Sequence, residues 1–163
     1  MSVTITYPKL KLAAQLREVS GSKAIVDAMQ DANANLEDIR EDCLTELQAA
    51  AAAAMAAFQR FPAQFDAAPM ADLYGIAARA IGVGAVCGAP GADAALTSLC
   101  DLLDRLSTSH RWDLNAIGVH VQTLQLLASD SGQDLDAVAV QHLLAGLQKV
   151  SGRYAAPPAA AAG

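Results

Sequence analysis

One long helical pattern, over residues 23–60, limits most strongly what this chain can fold into. Ser22 is a suitable N-cap before this stretch, and Pro62 is the residue that stops it. Within the stretch, apolar residues recur at spacings of four and three, which is typical of a heptad-like helical seam. The seam consists of Ile25, Met29, Ala32, Leu36, Ile39, Cys43 and Leu47. A rise of about 1.5 Å per residue makes this helix a rod of roughly 55 Å, longer than a compact bundle of this size needs.

The composition favours packed helices throughout. Alanine supplies 37 of the 163 residues, aromatic residues are only 4%, and charged residues are 17%. Such thin side chains suit closely spaced helices, whereas strands favour the aromatic and β-branched runs that are scarce here. The chain has no run of about 18 large apolar residues and no signal-peptide pattern at its start. We therefore expect a cytoplasmic protein without a membrane span.

The charge and the cysteines exclude several classes of function. The net charge of −6 argues against nucleic acid as a partner. The charge is uneven, with +3 over residues 1–23 and −6 over residues 27–46, where the acids predict a solvated helix face. Three scattered cysteines without a CxxC or Cys/His spacing predict neither a zinc site nor a disulfide framework. We expect no metal, no cofactor and no catalytic residue.

Further helices are predicted over residues 70–87, 92–107, 114–129 and 135–153, with Asp113 and Asp134 as the N-caps of the last two. Short connections between them favour antiparallel neighbours. The fold predicted is therefore all-α, an antiparallel up-down helical bundle with a long first helix. Its organisation is an N-terminal arm or short helix over 1–21, the bundle over 22–154, and a disordered Ala/Pro tail over 155–163.

The segment 70–90 has a second stripe where a polar face is expected. The inward stripe is Leu73, Ile76, Ala80, Val83 and Cys87. About 200° away, small residues recur at Gly75, Ala78, Gly82 and Ala85, bordered by Arg79 and Val86. Glycine inside a helix costs about 1 kcal/mol relative to alanine, so in this alanine-rich chain the glycines indicate a specific requirement. The stripe is either a flat docking surface for a partner or the contact of a helix buried between two layers of its own bundle.

The same segment resembles the signature helix of histidine phosphotransfer (HPt) domains. In that family a histidine is followed three residues later by lysine, then by glycine, small residues and a second glycine that closes the helix. The family's small positions are matched by Gly82, by Gly84 or Ala85, and by Gly88. However, Ala78 stands in place of the histidine and Ile81 in place of the lysine. The histidine is the phosphoryl acceptor and the lysine a cation near the phosphate, so alanine and isoleucine remove that chemistry.

The wider pattern is similar to a subgroup, the small chemotaxis-associated proteins called CheE. The likeness lies in residues 21–23, 31–36 and 39–44 and in the long first helix, and it covers roughly residues 20–150. It implies an HPt-like four-helix core whose surface around Ala78 is offered to a receiver domain of a response regulator or to a histidine kinase. The predicted function is a phosphate-silent (pseudo) phosphotransfer-like protein of two-component or chemotaxis signalling, not an enzyme. The predicted partner surface, here called the small-residue patch, is Gly75, Ala78, Arg79, Ile81, Gly82, Ala85 and Val86.

Two alternatives stay open at this point. In the first, the chain is a homodimeric helical scaffold whose seam is Leu36, Ile39, Cys43 and Leu47. In the second, it is an active phosphotransferase that uses a non-standard histidine, chosen from His110, His120 and His142. Of these three, His120 is the preferred stand-in, although a histidine in such a position is more often a structural or surface residue.

Overall fold

The computed structural model describes residues 21–154, and within that range the chain forms α-helices and no strand, which confirms the all-α class. The helices are α1 (Gly21–Phe58), α2 (Ala67–Ala80), α3 (Val83–Cys87), α4 (Pro90–Thr108), α5 (Leu114–Ala128), α6 (Asp130–Gln133) and α7 (Ala137–Gly152). The long first helix is therefore also confirmed. The predicted arm up to residue 20 and the predicted tail over 155–163 lie outside the described residues.

The chain divides into two compact units, Met1–Asp38 and Ile39–Gly163, so the division falls inside α1. The sequence had placed the only boundary near this helix at residue 21. In the first unit, the described part is the N-terminal half of α1, and every side chain from 25 to 38 is exposed.

In the second unit, α4 is the central element, because it contacts α2, α3, α5 and α7. Its predicted inward residues, Leu96, Leu99, Leu103 and Leu106, are all buried. The part of α1 in this unit adds buried residues at Leu47, Ala51, Ala54 and Ala57. Much of this core consists of alanine and leucine, as the composition predicts, because thin side chains let helix axes approach closely.

Close approach between helices is visible at Gly91, the second residue of α4. A Cβ atom built on Gly91 would lie 2.8 Å from Cγ1 of Val140 on α7. Gly118 on α5 is similar, since its Cβ would lie 3.0 Å from Cζ of Phe58 at the end of α1. A side chain at Gly91 would therefore require Val140 to shift, and one at Gly118 would require the ring of Phe58 to move by a few tenths of an ångström.

Two predicted helices differ from the structure. The helix expected over 70–87 is two helices, α2 and α3, because the backbone leaves helical geometry at Ile81 and Gly82. The helix expected from residue 135 begins at Ala137, with Asp136 rather than Asp134 as its N-cap. Its start is shifted because residues 130–133 form the short helix α6, which the sequence analysis missed. The other predicted cap is confirmed, since Asp113 accepts a hydrogen bond from the N–H of Ala116 at 2.9 Å.

Candidate partner-binding surface

Helix α2 is buried along one side only. Met70, Leu73, Ala77 and Ala80 are buried. The predicted inward stripe is confirmed, because Leu73, Ala80 and Cys87 are buried while Ile76 and Val83 are half-buried against the core. Leucine, alanine and isoleucine at three- and four-residue spacing thus fix which side of α2 meets α4.

The small-residue patch lies on the exposed side. Ala78, Arg79, Ile81, Gly82, Ala85 and Val86 are exposed, and Gly75 is half-buried. Two bulky apolar members stand out, since Ile81 is 44% exposed and Val86 is 57% exposed. Among the residues that the structure describes, no second layer of the bundle covers this stripe. The alternative of a helix buried between two layers is therefore wrong for this part of the chain.

The patch is bent in the middle. Ile81 has ψ 130° and Gly82 has φ 98°, a left-handed conformation that L side chains rarely adopt. A Cβ atom on Gly82 would meet nothing within 4 Å. Backbone conformation therefore explains this glycine, and no close neighbour among residues 21–154 does.

The bend is held by Asp93 in the first turn of α4. Its Oδ1 accepts hydrogen bonds from the N–H groups of Gly82 at 3.0 Å and Gly84 at 3.1 Å, and its Oδ2 accepts one from Ala85 at 2.7 Å. The first N–H groups of a helix have no carbonyl acceptor within that helix, and the carboxylate of Asp93 supplies one here. Its negative charge is also favourable at the positive end of the helix dipole.

The other end of α3 is also fixed by a charged side chain. Nε of Arg40, on α1, donates a hydrogen bond to the carbonyl oxygen of Cys87 at 3.1 Å. Gly88 follows with φ 81°, and a Cβ atom there would lie 3.4 Å from the guanidinium of Arg40. Gly84 must also be small, since its Cβ would lie 2.6 Å from the carbonyl oxygen of Ala89. The sequence analysis missed both Asp93 and Arg40. Arg40 is 47 residues from Cys87 along the chain, and Asp93, although only six residues after α3, lies on the next helix.

Arg79 supplies the cation of the patch. Its Nη1 lies 3.5 Å from where a Cβ atom of Gly75 would be, so the guanidinium lies along the small residue one turn earlier. Two shallow depressions of about 340 and 330 Å³ lie beside it, and both are lined by Ile76 and Arg79. The patch therefore offers two aliphatic side chains, a bare backbone and one positive charge. Alanine, glycine, isoleucine and valine provide no nucleophile and no acid or base, so what these seven residues present to solvent is apolar surface, backbone and one cation.

The three histidines lie outside this surface. His120 is fully buried on α5, where Nδ1 lies 2.9 Å from the carbonyl oxygen of Ala116. A carbonyl only accepts, so Nδ1 donates, and Nε2 accepts from the hydroxyls of Ser98 at 3.2 Å and Ser151 at 3.1 Å. Burial lowers the pKa of His120 below its ordinary value of 6.5, against a smaller opposite effect of the hydrogen bond to Ala116.

His110 and His142 are both exposed. His110 lies between α4 and α5, with its ring edge against Phe65 at a centroid distance of 5.6 Å. Each therefore has the surroundings of a surface residue, whereas His120 has those of a hydrogen-bonded core residue.

The predicted dimer seam is divided by the structure. Leu36 is 63% exposed in the first unit, and Ile39 is 51% exposed in the second. Cys43 is half-buried against the core, and Leu47 is 0% exposed within it. Leu47 is thus a core residue, and a seam on the surface of α1 would end before it.

Residues Ala67–Cys87, which span α2 and α3, have a mean hydropathy of 1.3 and a length that would suffice to cross a membrane. One third of that window is buried inside the protein. Core helices of other proteins meet the same criterion of length and composition, so this stretch is weak support for a span. Over residues 21–154, no three His, Cys, Asp or Glu side chains are grouped so as to hold a metal ion.

Comparison with known proteins identifies no relative. No family model matches this chain, and neither a curated protein nor a solved structure is similar to it.

Proposed function

We propose that this chain is a non-catalytic docking protein that binds a receiver domain or a histidine kinase through the small-residue patch. The observation that carries the proposal is the exposure of Ala78, Ile81 and Val86 on the side of α2 and α3 that the bundle leaves uncovered. Contiguous exposed apolar patches mark interaction surfaces, and Ile81 and Val86 with the small residues around them would form such a patch.

The finer fold is part of the same proposal. We propose an antiparallel up-down arrangement around a four-helix, HPt-like core, with α4 in the centre. The short connections between α4, α5 and α7 support it. So does the resemblance of residues 76–90 to the HPt signature helix, with alanine at position 78 where the acceptor histidine would be. The proposed lack of phosphoryl transfer follows from that alanine and from the burial of His120.

The side chains of the small-residue patch indicate which groups the partner's surface must carry. Ile81 and Val86 need an apolar counterpart, and Arg79 needs a carboxylate, since a guanidinium pairs best with a planar anion. The small residues between them let a partner's backbone or ring approach closely. A complementary acidic and apolar face on the partner is the expectation, in a cytoplasmic setting without nucleic acid, metal or cofactor.

Titration calorimetry against a panel of receiver domains and kinase domains tests the proposal, with Ala78→Arg as the decisive variant. A bulky charged side chain at this exposed site leaves the core intact but keeps the partner away, so affinity should fall by about tenfold or more. Ala145→Arg is the matched control, because Ala145 is exposed on α7, which does not contact α2 or α3 closely.

Two results would contradict the proposal. One is that no receiver or kinase domain binds the wild-type chain, or that Ala78→Arg binds as tightly as Ala145→Arg. The other is radiolabelled phosphohistidine on this chain after incubation with a phosphorylated receiver domain. Label lost in His120→Ala would instead support the active phosphotransferase.

A second candidate function is favoured by a separate observation on α1. Ile25, Met29 and Leu36 are 58%, 61% and 63% exposed in the first unit, and Ile39 is 51% exposed in the second. Their heptad-like spacing is that of a helix that pairs with its copy. A homodimeric scaffold is compatible with docking through the small-residue patch.

A further inference from the structure

Helix α3 is too short to be stable on its own. It has five residues, and isolated helices shorter than roughly 12 residues are marginal in water because nucleation is unfavourable. Yet it carries Ala85 and Val86, two of the seven residues of the small-residue patch. Its conformation must therefore come from contacts with other helices.

The N–H groups at the N-terminal end of α3 donate hydrogen bonds to a side chain of α4. The N–H groups of Gly82, Gly84 and Ala85 all donate to the carboxylate of Asp93, and both carboxylate oxygens are used. Hydrogen bonds to an ionised acceptor are about twice as strong as those between neutral groups. Because α4 is the central, most widely contacting helix of the second unit, Asp93 connects the bend at Gly82 to the best-anchored element available.

A carbonyl oxygen at the C-terminal end of α3 accepts a hydrogen bond from a side chain of α1. Arg40 donates to the carbonyl oxygen of Cys87, and the N–H groups of Gly88 and Ala89 return to the carbonyl oxygen of Gly84. A cation at the C-terminus and an anion at the N-terminus both oppose the helix dipole. Two charged side chains from different helices therefore hold five residues between them.

We infer that Asp93 and Arg40 are positioning residues that hold α3 preformed, so that Ala85 and Val86 join Ala78 and Ile81 in one binding surface. Neither residue belongs to the small-residue patch. The inference rests on the proposed docking function and deepens it. A preformed surface binds without first ordering α3, whereas a chain in which only a tenth of molecules have α3 in place would bind about tenfold more weakly.

Amide hydrogen exchange, measured by NMR on the full chain, tests whether Asp93 and Arg40 hold α3, and it needs no partner. In Asp93→Ala, exchange at Gly82, Gly84 and Ala85 should accelerate at least about tenfold, because each of these amides loses its acceptor. Asp104→Ala, an exposed acid on the same helix, is the control and should leave these amides unchanged. Asp93→Asn keeps one oxygen acceptor, so it should protect Gly82 and Gly84 in large part and release Ala85.

Arg40→Gln gives an independent second test, which decides the question if Asp93→Ala does not fold. It should accelerate exchange at Gly88 and Ala89, whose amides bond within the turn that Arg40 covers. Unchanged exchange at the named amides in both variants, or in Arg40→Gln alone where Asp93→Ala does not fold, would overturn the inference.

Partner affinity completes the test. With a receiver or kinase domain that binds the wild type, Asp93→Ala should weaken binding about tenfold, Asp93→Asn less, and Asp104→Ala not at all. Faster exchange with unchanged affinity would overturn the positioning role. If no such domain binds the wild type, the proposed function fails, and exchange still shows by itself whether Asp93 and Arg40 hold α3.

Discussion

At the scale of single residues, three glycines close together in sequence meet two different requirements, a left-handed backbone and a lack of space. Gly82 has φ 98°, and a Cβ atom built there would have open space around it. Gly84 has an ordinary backbone conformation but lies too close to the carbonyl of Ala89 for a side chain. Gly88 has φ 81° and ends α3 beside Arg40. The resemblance to HPt domains implies small residues at these positions and a glycine that closes the helix, whereas in this chain backbone conformation is the requirement at both Gly82 and Gly88.

A pair of glycine-to-alanine substitutions separates conformation from space. Neither Gly82 nor Gly146 has an atom within 4 Å of its built Cβ, but only Gly82 has a positive φ. Gly82→Ala should therefore lower the free energy of unfolding by about 1–2 kcal/mol. Gly146→Ala, in the exposed middle of α7, should raise it by about 0.5–1 kcal/mol. Denaturant unfolding measures both, and equal changes of the same sign would contradict the left-handed conformation at Gly82.

At the scale of elements, His120 connects three helices. It lies on α5, its Nε2 accepts from Ser98 on α4 and from Ser151 on α7, and Arg105 of α4 donates to the carbonyl oxygen of Ser151 at 2.9 Å. A protonated imidazole has two donors and no acceptor, so both hydroxyls would have to reverse their roles next to a buried charge. The neutral form is therefore the one that fits.

The lowered pKa of His120 makes the stability of the fold depend on pH. Below about pH 6.5 the unfolded chain gains a proton at this residue before the folded chain does, so the stability falls as the pH is lowered from that point. Above pH 6.5 both states are neutral there and this contribution is constant. Urea unfolding between pH 7.5 and pH 5 should show the loss in the wild type and a flatter dependence in His120→Gln.

Two comparisons make that measurement specific. His142→Gln, at an exposed position of α7, should keep the wild-type dependence on pH. Asp113 titrates in a more acidic range. The hydrogen bond from the hydroxyl of Tyr154, followed by that from the N–H of Ala116, lowers the pKa of Asp113 from 3.8. Its contribution to the stability of the fold is therefore lost only in more acidic solution. A His120→Gln chain with an unchanged slope would contradict the assignment.

At the scale of the whole molecule, exposed apolar side chains are concentrated on α1. They are Ile25, Val26, Met29, Leu36 and Ile39, each between 50% and 63% exposed. Burying a large aliphatic side chain gains about 1.5–3 kcal/mol, so pairing of two such helices would stabilise both copies. The acids of residues 27–46 are consistent with a solvated outer face.

Light scattering after size exclusion tests the pairing. We expect a mass twice 16.8 kDa for the wild type at micromolar concentration, and the mass of one chain for a Leu36→Glu, Ile39→Glu double variant. Val138→Glu is the control, because Val138 is 59% exposed on α7 and outside the seam, so this variant should remain a dimer. A wild type that is monomeric at high micromolar concentration would exclude the homodimer.

The spacing of apolar residues along the chain predicted much of the fold and of the candidate surface, as α4 and the end of α2 illustrate. The spacing of Leu96, Leu99, Leu103 and Leu106 predicted their burial, because a period of 3.6 residues defines the inward side of a helix wherever it packs. The same reasoning placed Ala78 opposite the core side of α2. It missed the bend at Gly82, since an apolar period continues through residues 73–87 although the backbone does not.

The sequence by itself determined the helical class, the long first helix, the inward side of α2 and the cap at Asp113, because each depends on side chains within a few positions of one another. Only the tertiary structure decided that α3 is a separate helix, that Leu47 belongs to the core, and that the small-residue patch is uncovered. These outcomes depend on how whole helices pack: Asp93 on α4 and Arg40 on α1 meet α3 only after the helices are side by side. A periodic pattern states which side of a helix is apolar, and packing decides what lies against it.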